Sequence, residues 1–129
     1  MSENESSEVR FVTVARLDEL PPGAFRRVEI EGHAIVLARQ GDVVHAFQST
    51  CPHEMADLSQ ARIENNCLVC PRHLAAFDLA DGAVSAGWKN VAPLKLYPAR
   101  IAGDIIAVDA AAVARTPPGG ERQLWDFSR

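Results

Sequence analysis

Short apolar runs alternate along the chain with polar breaks rich in Gly, Pro and Asn, a rhythm of strands rather than long helices. Residues 10–15 (RFVTVA) have the β-branched and aromatic content of a strand. Residues 17–23 (LDELPPG) allow one helical turn at most, because Pro21, Pro22 and Gly23 end it. Residues 25–30 set Phe25, Arg27 and Glu29 against Arg26, Val28 and Ile30, a period of two broken at Gly32. Residues 33–38 (HAIVLA) and 43–48 (VVHAFQ) flank Gln40-Gly41-Asp42, the pattern of a hairpin. From 49 to 58 the pattern is irregular. Residues 67–70 (CLVC) follow an Asn65-Asn66 turn signal, and 73–79 (HLAAFDL) suits either a strand or a helical turn. Asp81-Gly82 marks a turn, 83–91 reads as loop, and 94–101 and 104–108 read as two strands turning at Gly103-Asp104.

Seven or eight short strands with turns between them predict an all-β fold, an antiparallel sandwich or barrel. Beyond it, 110–114 suits one helical turn, and 116–120 (TPPGG) has linker composition. The final residues carry Leu124, Trp125 and Phe127, an aromatic tail expected to cover the domain or meet a partner. The first eight residues, rich in Ser, Glu and Asn, are expected to fray.

Length and charge narrow the function. A chain of 129 residues suits one domain with a modest core. With 47% hydrophobic residues and a net charge of −4, wholesale disorder is excluded and no basic nucleic-acid footprint is expected. No apolar stretch reaches the ~18–20 residues of a membrane span, and the opening MSENESSEVR lacks the apolar core of a secretion signal. Cys51, Cys67 and Cys70 are too few for a disulfide scaffold, so the expected compartment is a reducing cytoplasm, where clustered Cys serve metal or redox chemistry.

Two units concentrate that chemistry. Cys51-Pro52-His53 is C-x-H, and Cys70-Pro71-Arg72-His73 is C-x-x-H, with 16 residues between His53 and Cys70. Proline after each Cys stiffens a tight loop. Two loops that each offer one thiolate and one imidazole can bracket a single inorganic centre. Two Cys and two His suit tetrahedral zinc, although C-x-H is shorter than the usual zinc spacing. They equally suit a two-iron, two-sulfide cluster with Cys on one iron and His on the other. Cys67 forms a further C-x-x-C with Cys70 but reads as a core thiol. His33 and His45 sit inside strand runs and read as structural or surface residues.

The pattern C-x-H, 16 residues, C-x-x-H resembles the Rieske family closely. Phe77-Asp78-x-x-Asp81-Gly82 is similar to the turn that follows the family's second ligand loop. Pro93-Leu94, Tyr97-Pro98-x-Arg100 and Gly103-Asp104-x-Ile106 are similar to its closing strands. The likeness spans residues 9–109, which makes 1–8 a flexible start and 110–129 an extension. It implies a Rieske fold with a small cluster-binding subdomain of two loops and one [2Fe-2S] cluster. Cys51 and Cys70 would bind one iron, His53 and His73 the other. Leu74, Met55, Pro71 and Trp88 would be candidates for an apolar rim. The chain departs from the pattern at Asp57-Leu58, Ala61 and Ala86-Gly87-Trp88.

The resemblance also sorts the subclass. High-potential members add a Cys to each loop and place Ser and Tyr hydroxyls near cluster sulfur. Here Met55, or a near neighbour, and Arg72 stand for the cysteines, and Ala75 and Phe77 for the hydroxyls. Fewer hydrogen bonds to sulfur lower the potential, toward about −150 mV rather than +300 mV. A complete oxygenase would need a second iron on two His and a carboxylate, yet only His33 and His45 remain. No G-x-G-x-x-G for a flavin or nicotinamide is present. The implied protein is not an enzyme. It is a cytoplasmic ferredoxin, a monomer when free, that takes one electron from a flavoprotein reductase. It passes that electron to the terminal oxygenase of a mono- or dioxygenase system, as in aromatic hydrocarbon catabolism. Two other readings stand beside it. One is the Rieske-like small subunit of an assimilatory nitrite reductase, recognised by copurification with a large flavin and haem protein. The other is a colourless zinc-stabilised interaction module.

Overall fold

The computed structural model describes residues 9–50, 57–70, 76–84 and 93–118. Within them run ten strands: β1 (Phe11–Arg16), β2 (Phe25–Ile30), β3 (His33–Gln40), β4 (Val43–Gln48), β5 (Arg62–Glu64), β6 (Cys67–Val69), β7 (Ala76–Asp78), β8 (Leu96–Tyr97), β9 (Ala99–Ala102) and β10 (Ile105–Asp109). A short helix, α1 (Ala110–Arg115), follows directly. The strands form three antiparallel sheets with orders β1-β10-β9, β2-β3-β4-β8 and β5-β6-β7.

The second sheet serves both of the others, and β3 shows why. Its alternate residues divide between two apolar cores. Ile35 and Leu37 join Val44, Ala46, Ile106, Val108 and Val113 on one side. Val36 and Ala38 join Phe47, Leu58, Leu68, Phe77 and Leu94 on the other. A strand covered on both faces reads as a continuous apolar run, which is what AIVLA is. Each fully buried Leu, Ile or Phe contributes about 1.5–3 kcal/mol by leaving water.

Turn chemistry sets the hairpin registers. Ile30 pairs with His33 across Glu31-Gly32, and Gln40 with Val43 across Gly41-Asp42. Asn65 and Asn66 both adopt positive φ, 52° and 64°, between Glu64 and Cys67. That is the backbone of a two-residue type I′ turn, which Asn tolerates better than most residues.

At its far end the fold is locked by Asp109, 1% exposed. Its Oδ1 accepts hydrogen bonds from the backbone N–H of Ala111 (3.0 Å), Ala112 (3.3 Å) and Arg10 (2.9 Å). It thus caps α1 and ties it to Arg10, just before β1.

The predicted strands recur, with four differences. The 94–101 run is two strands: β8 pairs with β4 and β9 with β10, so the chain changes sheets at Pro98, which has no N–H to continue a ladder. The β3–β4 hairpin extends to Gln40, leaving a two-residue turn. The sequence pattern did not reveal β5 (RIE), three residues with two charges. Of the two readings for 73–79, the strand holds over Ala76–Asp78. The frayed start, all of the predicted 83–91 loop beyond Val84, and the aromatic tail lie outside the described residues.

Candidate metal centre

The third sheet and its surroundings root the two Cys/His units. Cys70 directly follows β6 and is a free thiol with no exposed surface. It packs in the core with Phe47, Leu58, Leu68, Phe77 and Leu94. Cys51, His53 and His73 lie outside the described residues, as do Met55, Pro71, Arg72, Leu74, Ala75 and Trp88. The residues flanking them are described, and they bring the ends of each segment together.

Thr50, buried beside β4, bridges to Asp57, closing the base of 51–56. Leu58 donates its N–H to the Ser49 carbonyl (2.9 Å) just below. The Asp57 carboxylate accepts from Ser59 N–H (2.9 Å) and Ser59 Oγ (2.7 Å), so the chain turns at once into a single 3-10 turn, Leu58–Gln60. Val69 pairs with Ala76, closing the base of the second segment. Leu58, which leaves the first segment, and Cys70, which enters the second, share one apolar core. The described flanks of both segments therefore share a common floor.

A third closure stands beside them. Leu94 donates its N–H to the Gly82 carbonyl (2.8 Å), and Phe77 bridges to Val84, so 85–92 also leaves and returns at neighbouring points. Gly82 donates to the Asp78 carbonyl (2.6 Å), while the Asp78 and Asp81 carboxylates accept from Ala80 and Ala83 (2.8 and 2.9 Å). Asp81-Gly82 is the turn its sequence promised.

Other singled-out residues serve the frame. Cys67 opens β6, but it is half-buried opposite Asp78 and belongs to neither core, so the core-thiol reading is corrected: it sits at the hairpin's outer end. His45 Nε2 donates to Gln40 Oε1 (3.0 Å), and partial burial pushes its pKa below the usual imidazole range. His33 lies on β3 with its Nδ1 buried and without a hydrogen-bond partner. Neither His joins the core that holds Cys70. Burial pushes the Tyr97 phenol far above its ordinary range, so it stays a neutral donor, bonded to the Thr116 carbonyl at 2.6 Å. The Arg100 guanidinium stacks 4.0 Å over the Phe11 ring.

Sequence reasoning missed Gln48. It is 4% exposed, at the end of β4. The only signal was a polar residue closing an apolar strand.

The residues present fit a thiolate- and imidazole-bound cluster. The candidate donors are two Cys and two His on short segments, Cys70 is free and buried, and the bases of both segments are closed by backbone pairing. Burial among apolar side chains limits water and sets the dielectric around such a centre.

Comparison with known proteins bears on the same region. Residues 10–98 match the family model of the Rieske [2Fe-2S] domain. Ferredoxin CarAc of Metapseudomonas resinovorans is 33% identical over 73 residues, 56% of this chain and 68% of the relative. The solved ferredoxin of carbazole 1,9a-dioxygenase from Nocardioides aromaticivorans IC177 superimposes with a TM-score of 0.68 at 32% identity, covering 77% of this chain and 96% of that one. A chain in the complex of reduced oxygenase and oxidized ferredoxin of carbazole 1,9a-dioxygenase matches with a TM-score of 0.66 at 26% identity, over 78% and 93% of the two chains. On this evidence the chain belongs to the Rieske [2Fe-2S] domain family, and its cofactor is one Rieske-type two-iron, two-sulfide cluster.

Proposed function

We propose that this protein is a one-electron carrier, a ferredoxin that receives electrons from a flavoprotein reductase and delivers them to the terminal oxygenase of a multicomponent system. The observation that carries the reading is the pair of short Cys/His segments rooted on one apolar floor, with Cys70 free and buried at the root of the second. Relatives named as ferredoxins of dioxygenase systems, one of them in a complex of ferredoxin with oxygenase, support the same role and suggest aromatic hydrocarbon catabolism.

In this reading Cys51, His53, Cys70 and His73 hold the cluster, within a domain of residues 9–109 flanked by 1–8 and 110–129. The cluster supplies a reversible one-electron couple, with thiolates stabilising the ferric state and imidazoles leaving the other iron the easier to reduce. The chain's own residues shield that couple: Leu58, Leu68, Phe77 and Leu94 form the apolar floor. Phe77 offers no hydroxyl to a sulfur, which favours the low end of the Rieske range, about −150 mV. The free thiol at Cys67 suits a reducing cytoplasm. Among the described residues no helix is long and apolar enough to cross a membrane.

The test is anaerobic purification with iron and acid-labile sulfide analysis, then EPR before and after dithionite. The expected result is two irons and two sulfides per chain, silence when oxidised, and one rhombic S = ½ signal on reduction. Substituting Cys70→Ser or His73→Ala abolishes that signal. Stoichiometric zinc with no EPR signal in either state overturns the reading. Stable copurification with a large flavin and haem protein replaces it with an enzyme subunit.

A further inference from the structure

Where the β4–β8 ladder ends, a side chain takes its place. Phe47 pairs with Leu96, and the next rung is the Gln48 N–H donating to the Lys95 carbonyl at 3.2 Å. The Gln48 carboxamide then continues it. Its Oε1 accepts from the Lys95 N–H at 2.8 Å, and its Nε2 donates to the Thr50 carbonyl at 2.8 Å. A flipped amide would set oxygen against oxygen and nitrogen against N–H, so the orientation is dictated by its partners. Thr50 is the residue immediately before Cys51. Lys95 follows Leu94, which closes the third segment onto Gly82 and packs in the core with Cys70. One buried side chain thus ties the root of the first Cys/His segment to the strand leaving the third.

We propose that Gln48 is a positioning residue for the cluster: it holds the Thr50 carbonyl, at the residue before Cys51, against Lys95 and so sets how firmly the first segment grips the metal. The inference rests on the ligand reading above. A buried amide with both ends satisfied rigidifies its surroundings, whereas removing it strands a carbonyl and an N–H in a site with little water. The neighbouring loop ends are already held by backbone pairs. The Gln48 side chain is what braces the Thr50 carbonyl.

The experiment compares cluster loss in the intact chain for wild type, Gln48→Met, Gln48→Glu and a control, Ile106→Val, in the other core. Met fills a similar volume without polar atoms. Glu keeps the acceptor for Lys95 N–H but sets a second oxygen against the Thr50 carbonyl. The readouts are bleaching of visible absorbance by an iron chelator, the EPR g-values of the reduced form, and far-UV circular dichroism. Both Gln48 variants are expected to keep the wild-type β signal, to bleach about tenfold faster than wild type and to shift or broaden the EPR signal. Ile106→Val is expected to melt earlier while bleaching at the wild-type rate. If the Gln48 variants bleach no faster than Ile106→Val and keep the wild-type g-values, Gln48 has no positioning role. Should Gln48→Met fail to fold, Gln48→Glu decides alone. If neither folds, Gln48 is a fold residue only and the proposal is overturned. Wild type without iron is a separate outcome, which overturns the ligand reading itself.

Discussion

Gly82 lies against Leu94 so closely that a side-chain carbon built on Gly82 would collide with the Leu94 carbonyl oxygen, while the Gly82 carbonyl accepts the Leu94 N–H at 2.8 Å. Gly82 also sits at φ +81°, in the left-handed region. Two independent constraints therefore demand glycine at the point where the second Cys/His segment's hairpin meets the third closure.

Gly82→Ala is expected to cost about 3 kcal/mol, the sum of left-handed strain and a clash with rigid backbone. Gly103→Ala carries similar strain at φ +65°, but has nothing within 4 Å of the new carbon, so it should cost about 1 kcal/mol. Urea midpoints of the two variants measure the difference. Equal costs would mean that the Leu94 contact relaxes freely.

The two apolar cores predict two phenotypes. Leu68→Ala and Ile106→Ala each empty a fully buried site and should each cost about 2–5 kcal/mol. Leu68 packs in the core with Cys70, so its variant should also purify with reduced iron. Ile106 lies in the other core, so its variant should keep full iron content per folded chain. Iron analysis beside thermal melts separates them, and parallel iron loss in both would refute the division.

Asp109 predicts a graded series. Asp109→Asn keeps an oxygen for Ala111, Ala112 and Arg10 and should cost under about 1 kcal/mol more than a neutral surface change. Asp109→Ala leaves all three N–H groups without that acceptor and should cost about 2–3 kcal/mol. Denaturant titration reads both, and indistinguishable values would dismiss the cap as an anchor.

His45 sets a pH dependence of known sign. Burial lowers its folded pKa, so the unfolded chain binds the proton more readily. The contribution to stability is complete above the unfolded value near ~6.5 and is lost as pH falls through the folded value. His45→Gln should therefore flatten the decline in melting temperature below about pH 6.5 while leaving higher pH little changed. A wild-type slope that survives the substitution would move its origin to another group.

The candidate centre was legible as a pattern because metal-ligand chemistry is local. C-x-H and C-x-x-H are readable as strings, since a pair proposed to reach a metal from one short loop lies within a few residues. The hairpins were legible for the same reason: Asn65-Asn66, Asp81-Gly82 and Gly103-Asp104 carry their backbone preference in their own side chains. β5 was not, because three residues with two charges show no period. The halving of 94–101 was not either, because Pro98 forbids a rung without saying which sheet each half will join. The place of Cys67 was misjudged because an apolar run does not reveal which of its residues lies at a sheet's outer end.

By itself, then, the sequence determined the all-β class, the turns, the C-x-H and C-x-x-H pattern and the family it signals. These depend on residue type and spacing within a few positions. Only the tertiary structure decided that β3 would be shared between two cores, that the roots of the Cys/His segments would stand on one floor, and that Gln48 would bind Thr50 and Lys95 at once. The last of these joins residues 47 positions apart. The geometry of a buried amide is settled by which strands pack around it, and no local pattern records that.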